Sequence, residues 1–238
     1  MKALVLFRKP SRDSGKDLIY VSLASAIEEG GCPICRLVAK VEVDALRSLL
    51  YEHVNDPHVR KLIVSGWGLC QYHSWLMARL AIEDPSLGGG LGPAIIMEDL
   101  VERFLNEVSQ GRVPEAGSGC YVCRQVAEFE LMYVESLAKR FETTDLLGKY
   151  EGNSSSILCS KHFKQVAERV REVGVRDKLF EIQRAKLGRL GELLRRYIDK
   201  HDYRCGEPIT KEEAESWLLA IESLVGTKSL LSGLYRRV

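Results

Sequence analysis

No segment of this 238-residue sequence approaches the roughly 20 consecutive apolar residues that a membrane span requires. The richest stretch, Trp67 to Ile82, is interrupted by Gln71, His73 and Arg79, so no membrane association is expected. An excess of one charge is also lacking. The 34 Lys and Arg against 33 Asp and Glu leave a net charge of +1, and no global field draws the chain onto nucleic acid or a lipid surface. Absent too are a glycine-rich phosphate loop, a nucleophile elbow and a paired catalytic carboxylate motif, which leaves an enzymatic reading without its usual support. Strand signals are confined to Ala3–Phe7. That run is too short for a signal-peptide core and passes into Arg8, Lys9 and Pro10 without a small-residue cleavage site, so a cytoplasmic setting is expected. With 45% hydrophobic and 28% charged residues, the chain has the composition of a globular protein with a sizeable core.

Cysteine is present and patterned. Without export signals, the seven cysteines are expected as reduced thiols, and their spacing reads as ligation or catalysis rather than as a disulfide framework. Cys32-Pro-Ile-Cys35 is followed by Cys70-Gln-Tyr-His73, and Cys120-Tyr-Val-Cys123 by Cys159-Ser-Lys-His162. Corresponding ligands are offset by 88 residues in the CxxC halves and by 89 in the CxxH halves. The flanks recur as well, Gly31-Cys-Pro-Ile-Cys-Arg36 against Gly119-Cys-Tyr-Val-Cys-Arg124. The pattern reads as a tandem duplication, with Leu87 to Pro93 as the linker.

Each ligand pair opens a helix. Leu37, Val38, Val41, Ala45, Leu46, Leu49 and Leu50 follow Cys35 at three- and four-residue steps, and a similar run follows Cys123. Leu76, Met77 and Leu80 follow His73, while Val166, Ala167 and Val170 follow His162. At a helix start, unpaired amides and the macrodipole favour thiolate over thiol. Within the first turn, positions i and i+3 share a face, so both members of a CxxC or CxxH reach one ion. The expectation is one closed Cys3His set per repeat: Cys32, Cys35, Cys70 and His73 in the first, Cys120, Cys123, Cys159 and His162 in the second. Two Zn2+ ions per chain are the default for such sets, with Zn–S near ~2.3 Å and Zn–N near ~2.0 Å. An iron–sulfur cluster is the alternative, because thiolates hold such clusters and histidine can replace a cysteine. A thioredoxin-like dithiol is disfavoured, since no alternation of strands and helices surrounds Cys-Pro-Ile-Cys.

The duplicated GCPxC and CxxH pattern, together with Lys200-His-Asp-Tyr-Arg204 and Ser216-Trp217, resembles the prokaryotic DUF6062-like family, a domain of unknown function, from about Tyr20 to Ala220. The resemblance implies no activity. The second CxxC lacks the proline of the first, which points to a looser turn and a less tightly held metal.

From Lys161 to Arg204 the chain carries 13 Lys and Arg against 7 Asp and Glu. Nucleic acid binding through this basic 161–204 region is conceivable but not favoured, because interleaved acids make a solvated, ion-paired helix face the commoner outcome. A long helix is expected from about Arg176 to Lys200. The seven-residue series Phe180, Leu187, Leu194, His201 should place His201 with the apolar stripe. His201, Asp202, Tyr203 and Arg204 are then candidate catalytic or anion-binding residues, with a helix C-terminus complementing its dipole as the structural reading. Glu207-Pro-Ile-Thr210 followed by Glu213 reads as a turn and capping box opening a last helix. The expected organisation is all-α: an N-terminal segment (1–16), two metal-stapled repeats (17–86 and 94–172) and a C-terminal helical region (173–238). The favoured role is a non-catalytic interaction module with an unknown protein partner.

Overall fold

The all-α expectation is met. The computed structural model describes residues 17–113, 117 and 119–227, and the strand signal at Ala3–Phe7 lies outside them. Among the described residues there are ten α-helices: α1 Leu18–Glu28, α2 Pro33–Ser48, α3 Pro57–Ser65, α4 Gln71–Glu83, α5 Leu91–Ser109, α6 Tyr121–Thr143, α7 Leu146–Gly152, α8 Ser160–Arg169, α9 Val173–Asp199 and α10 Lys211–Val225. The described residues form no strand, only an isolated parallel bridge between Gly31 and Ser156.

The compact units do not follow the tandem boundaries expected from the sequence. Of the described residues, one unit comprises 17–35 together with Tyr133–Thr227, and the other lies within Arg36–Met132. The division falls inside α2 and α6, just past the CxxC that opens α2 and some way along α6.

The core of the first unit contains Leu23, Ile27, Leu137, Phe141, Leu146, Tyr150, Leu158, Val166 and Leu179, all buried. The side chain of Asp17 caps α1 by accepting from the Tyr20 amide, and Arg140 bonds both carboxylate oxygens of Asp17, at 2.7 and 2.8 Å. The capping box read from the sequence is present: Thr210 and Glu213 satisfy each other's amides at the start of α10.

Helix α9 departs from its expected register. Its buried residues are Leu179, Ile182, Gln183, Lys186 and Leu190, whereas Phe180 and Leu187 are exposed, and so is His201 just beyond the helix end. The inward face thus carries two polar side chains, which is why the apolar series pointed to the wrong side. Both have partners. Gln183 donates to the Leu158 carbonyl (2.8 Å) and accepts from the Tyr150 hydroxyl (2.6 Å). The Lys186 ammonium donates to the carbonyls of Tyr150, Asn153 and Ser156 and lies 3.8 Å from the centre of the Tyr150 ring. Burial lowers its pKa to about 8. These bonds gather the end of α7 and the segment leading to Cys159. Helix α9 also begins three residues before the expected start, at Val173, and just ahead of it the Glu142 carboxylate accepts the amides of Arg171 and Glu172.

The second unit is built around Leu46, Leu49, Leu50, Ile63, Leu76, Met77, Leu80 and Ile96. Helix α2 continues into a widened turn over Leu49–His53, and α3 starts at Pro57 with Asp56 as its cap. Gly88 and Gly89 turn the chain between a short 3-10 segment, Pro85–Leu87, and α5, where the sequence reading placed a linker. Of the aromatic residues near the first CxxH, Tyr72 packs against this core, whereas Trp75 is 66% exposed.

Candidate metal centres

All eight expected ligands converge in fours, but across the two expected repeats rather than within them. Cys32, Cys35, Cys159 and His162 form one set and Cys70, His73, Cys120 and Cys123 the other, and within each set the ligand atoms lie within 4.8 Å of one another. The within-repeat pairing expected from the sequence is therefore corrected. Each compact unit holds one complete set.

Local backbone geometry explains the crossing. Gly31 and Gly119 immediately precede the CxxC segments and adopt φ of 67° and 89°, a left-handed conformation that costs glycine little. In the first unit the Gly31 amide donates to the Ser155 carbonyl (2.8 Å), and the Gly31 carbonyl accepts from the Ile157 amide (3.0 Å). Those two bonds lay the approach to Cys32 beside the approach to Cys159. In the second unit the corresponding approaches meet without room for a side chain: a Cβ on Gly66 would clash with the Gly119 carbonyl. The partner of each CxxC is set by these two contacts.

Cys70 and Cys159 occupy the cap positions of α4 and α8 with nearly the same backbone, φ −64°, ψ 162° and φ −68°, ψ 162°. The Cys70 sulfur accepts from the His73 amide, the use of helix-start donors that favours thiolate. In the first set, Nδ1 of His162 stands 3.3 Å from Cys32 Sγ, 3.3 Å from Cys35 Sγ and 3.2 Å from Cys159 Sγ, with Cys35 and Cys159 sulfurs 3.7 Å apart. In the second, Nδ1 of His73 stands 3.2 Å from Cys70 Sγ and 3.4 Å from both Cys120 and Cys123 Sγ, with Cys70 and Cys123 sulfurs 3.7 Å apart. A tetrahedral ion with Zn–S of ~2.3 Å and Zn–N of ~2.0 Å requires S···S of ~3.8 Å and S···N of ~3.5 Å. Three sulfurs and one nitrogen at these separations fit a divalent metal ion with no ligand position left open.

The protein groups titrate as coupled sets. Burial disfavours the His162 imidazolium, but hydrogen bonds to the Cys159 and Cys35 sulfurs outweigh it and hold the ring at about 10. Bonds from Cys32 and Cys35 push Cys159 down, while burial and the bond to Cys159 push Cys32 well up. In the second set burial likewise opposes the His73 cation, and hydrogen bonds to Cys120 and Glu42 prevail, raising it to about 10. Burial raises Cys120, yet its bond with His73 brings it down to about 6; burial and the Cys120 charge lift Cys123 to about 12. In each set one thiolate is favoured beside an imidazolium, and a cation that occupies the set must displace the protons of the histidine and of the remaining thiols.

The two centres differ in their cover. Cys32, Cys159 and His162 are almost fully buried, and the end of α10 lies over their set: Ser160 donates to the Leu224 carbonyl (2.6 Å), and a Cβ on Gly226 would stand 3.3 Å from Cys35 Sγ. In the other set Cys123 is exposed.

One residue at this second centre was not singled out from the sequence. Glu42, on α2 and buried, accepts from His73 Nε2 at 2.9 Å and from the Tyr72 hydroxyl at 2.6 Å. A signal existed: Glu42 lies seven residues after Cys35, and Glu130 lies seven residues after Cys123, the same 88-residue offset as the ligands.

The candidate cluster after α9 does not converge. Lys200 is held by the Glu213 carboxylate, at 2.9 and 3.0 Å, and by the Pro208 carbonyl. His201 is exposed and donates from Nδ1 to the Tyr197 carbonyl (2.7 Å), a helix-end contact rather than the expected place on the apolar stripe. Asp202 and Arg204 pair with each other, and Tyr203 is 94% exposed. Cys205, outside both sets, is half-buried. The basic region carries the ion pairs Lys178–Glu151 (2.6 Å) and Arg189–Glu212 (2.9 Å) along α9. Among the described residues no helix is long and apolar enough to cross a membrane.

The chain is 27% identical over 207 residues to an "Uncharacterized 23.9 kDa protein in xynA 3′ region" of Caldicellulosiruptor sp. (strain Rt8B.4), an alignment covering 84% of this chain and 98% of that protein. No family model and no solved structure matches the sequence.

Proposed function

We propose that this chain is a two-zinc protein whose ions are structural, and that it works as a non-catalytic interaction module for a protein partner. The observation that carries the reading is the pair of closed donor sets, three sulfurs and one imidazole nitrogen each, at separations suited to a tetrahedral ion. A closed set offers no position for substrate or activated water, so the ions' contribution is folding free energy. The exposure of His201 and Tyr203 at a helix end, with Arg204 paired to Asp202, supports the same reading. The likeness to the DUF6062-like family belongs to the proposal and adds no activity.

Elemental analysis of anaerobically purified protein, read beside its visible spectrum, tests this. Two zinc per chain and no colour are expected. Iron with labile sulfide and a broad visible band would replace zinc with clusters and make both centres redox sites.

A further inference from the structure

We propose that Glu42 is a positioning residue of the second centre, fixing the tautomer and aim of His73 and thereby setting how tightly that centre holds its metal. The inference rests on the metal-binding reading and assigns a role to a residue outside the four ligands.

The argument begins with the two ring nitrogens. Nδ1 of His73 faces three sulfurs at 3.2–3.4 Å, so it is the ligand atom. Nε2 faces a carboxylate oxygen of Glu42 at 2.9 Å, and a carboxylate only accepts, so Nε2 carries the proton. This is the one tautomer that leaves the Nδ1 lone pair free for a metal. Burial makes the assignment strict. The His73 and Glu42 side chains are 4% and 12% exposed, and water does not readily replace the acceptor. The second carboxylate oxygen is taken by the Tyr72 hydroxyl at 2.6 Å, which fixes the carboxylate plane. Tyr72 sits next to His73, its ring packed edge-on at 4.9 Å, so one turn of α4 supplies both the ligand and the brace for its acceptor. A negative acceptor on Nε2–H draws that proton and increases electron density at Nδ1, strengthening the metal–nitrogen bond.

The test uses the full-length protein loaded with cobalt(II), followed by chelator competition and by NMR of the His73 ring. Glu42→Ala is expected to weaken one of the two bound ions about 10- to 100-fold while the other keeps its affinity. The Nε2–H resonance of His73, slowly exchanging in the parent, should move into fast exchange with solvent. Glu42→Gln keeps an acceptor and lacks the charge, so it should restore the slow resonance with a smaller loss of affinity. Tyr72→Phe should give the smallest loss. A protein that holds no metal overturns the metal-binding reading itself. Two ions held as in the parent, with an unchanged ring resonance in Glu42→Ala, overturn the role of Glu42 alone. Should Glu42→Ala not fold, Glu42→Gln and Tyr72→Phe decide, and parent-like affinities in both would sink the proposal.

Discussion

Cys159 and Cys70 precede α8 and α4 with nearly the same backbone angles, and each turns its sulfur toward a histidine three residues on and a CxxC from the other half of the sequence. Around that shared chemistry the surroundings diverge. The centre of the first unit lies under the end of α10, against Leu224 and Gly226, with Cys32 and Cys159 sealed from solvent. The centre of the second unit has Cys123 exposed and a buried carboxylate behind its histidine. Ligand identity thus makes both centres competent for the same ion, while the elements packed over them decide how readily solvent, chelators and electrophiles arrive.

The largest expected effect comes from removing a sealed ligand. Cys159→Ser should lose one metal and the cooperative unfolding of the first unit, a penalty on the order of 10 kcal/mol judged from structural zinc sites. Thermal denaturation with metal analysis checks this, and a cooperative transition at the parent temperature would show that the ion does not hold that unit together. Next, alkylation by iodoacetamide during chelator challenge should label Cys123 before any ligand of the first set. Peptide mass spectrometry reads the order, and equal labelling of Cys123 and Cys32 would erase the contrast in cover.

Proton competition should act on both centres alike. Near pH 7 the second set must release protons from His73, at about 10, and Cys123, at about 12, while Cys120, at about 6, is largely ionised already. Metal affinity should therefore rise with pH, by at least two decades per unit around neutrality. Competition titrations between pH 6 and 8 measure the slope, and a flat profile would contradict the thiolate–imidazolium state. The smallest effect belongs to Tyr150→Phe. It removes the acceptor of the Leu158 amide (2.9 Å), next to Cys159, and the donor to Gln183 (2.6 Å). A loss of about 1–3 kcal/mol is expected in denaturant unfolding of the metal-loaded protein, confined to the first unit.

Much of this was legible before any coordinates. Alternating three- and four-residue apolar steps announced α2, Thr210 and Glu213 announced α10, and CxxC with CxxH named every ligand. Local rules carried those readings because caps, first turns and amphipathic faces involve residues within one helical turn of each other. The reading of α9 failed for the same reason in reverse: Gln183 and Lys186 are polar by type, and only the carbonyls of Tyr150, Asn153, Ser156 and Leu158 make their burial favourable. Glu42 was passed over because a lone carboxylate on a helix has no local sign of the imidazole it will meet.

By itself the sequence determined the helical class and the eight cysteines and histidines of the two sets with their placement at helix starts, since each follows from neighbours along the chain. The tertiary structure alone decided which CxxC meets which CxxH. The three-residue step inside each CxxC and CxxH is the same for either pairing, and the choice rests on contacts between residues far apart in sequence: Gly31 with Ser155 and Ile157, and Gly66 with Gly119.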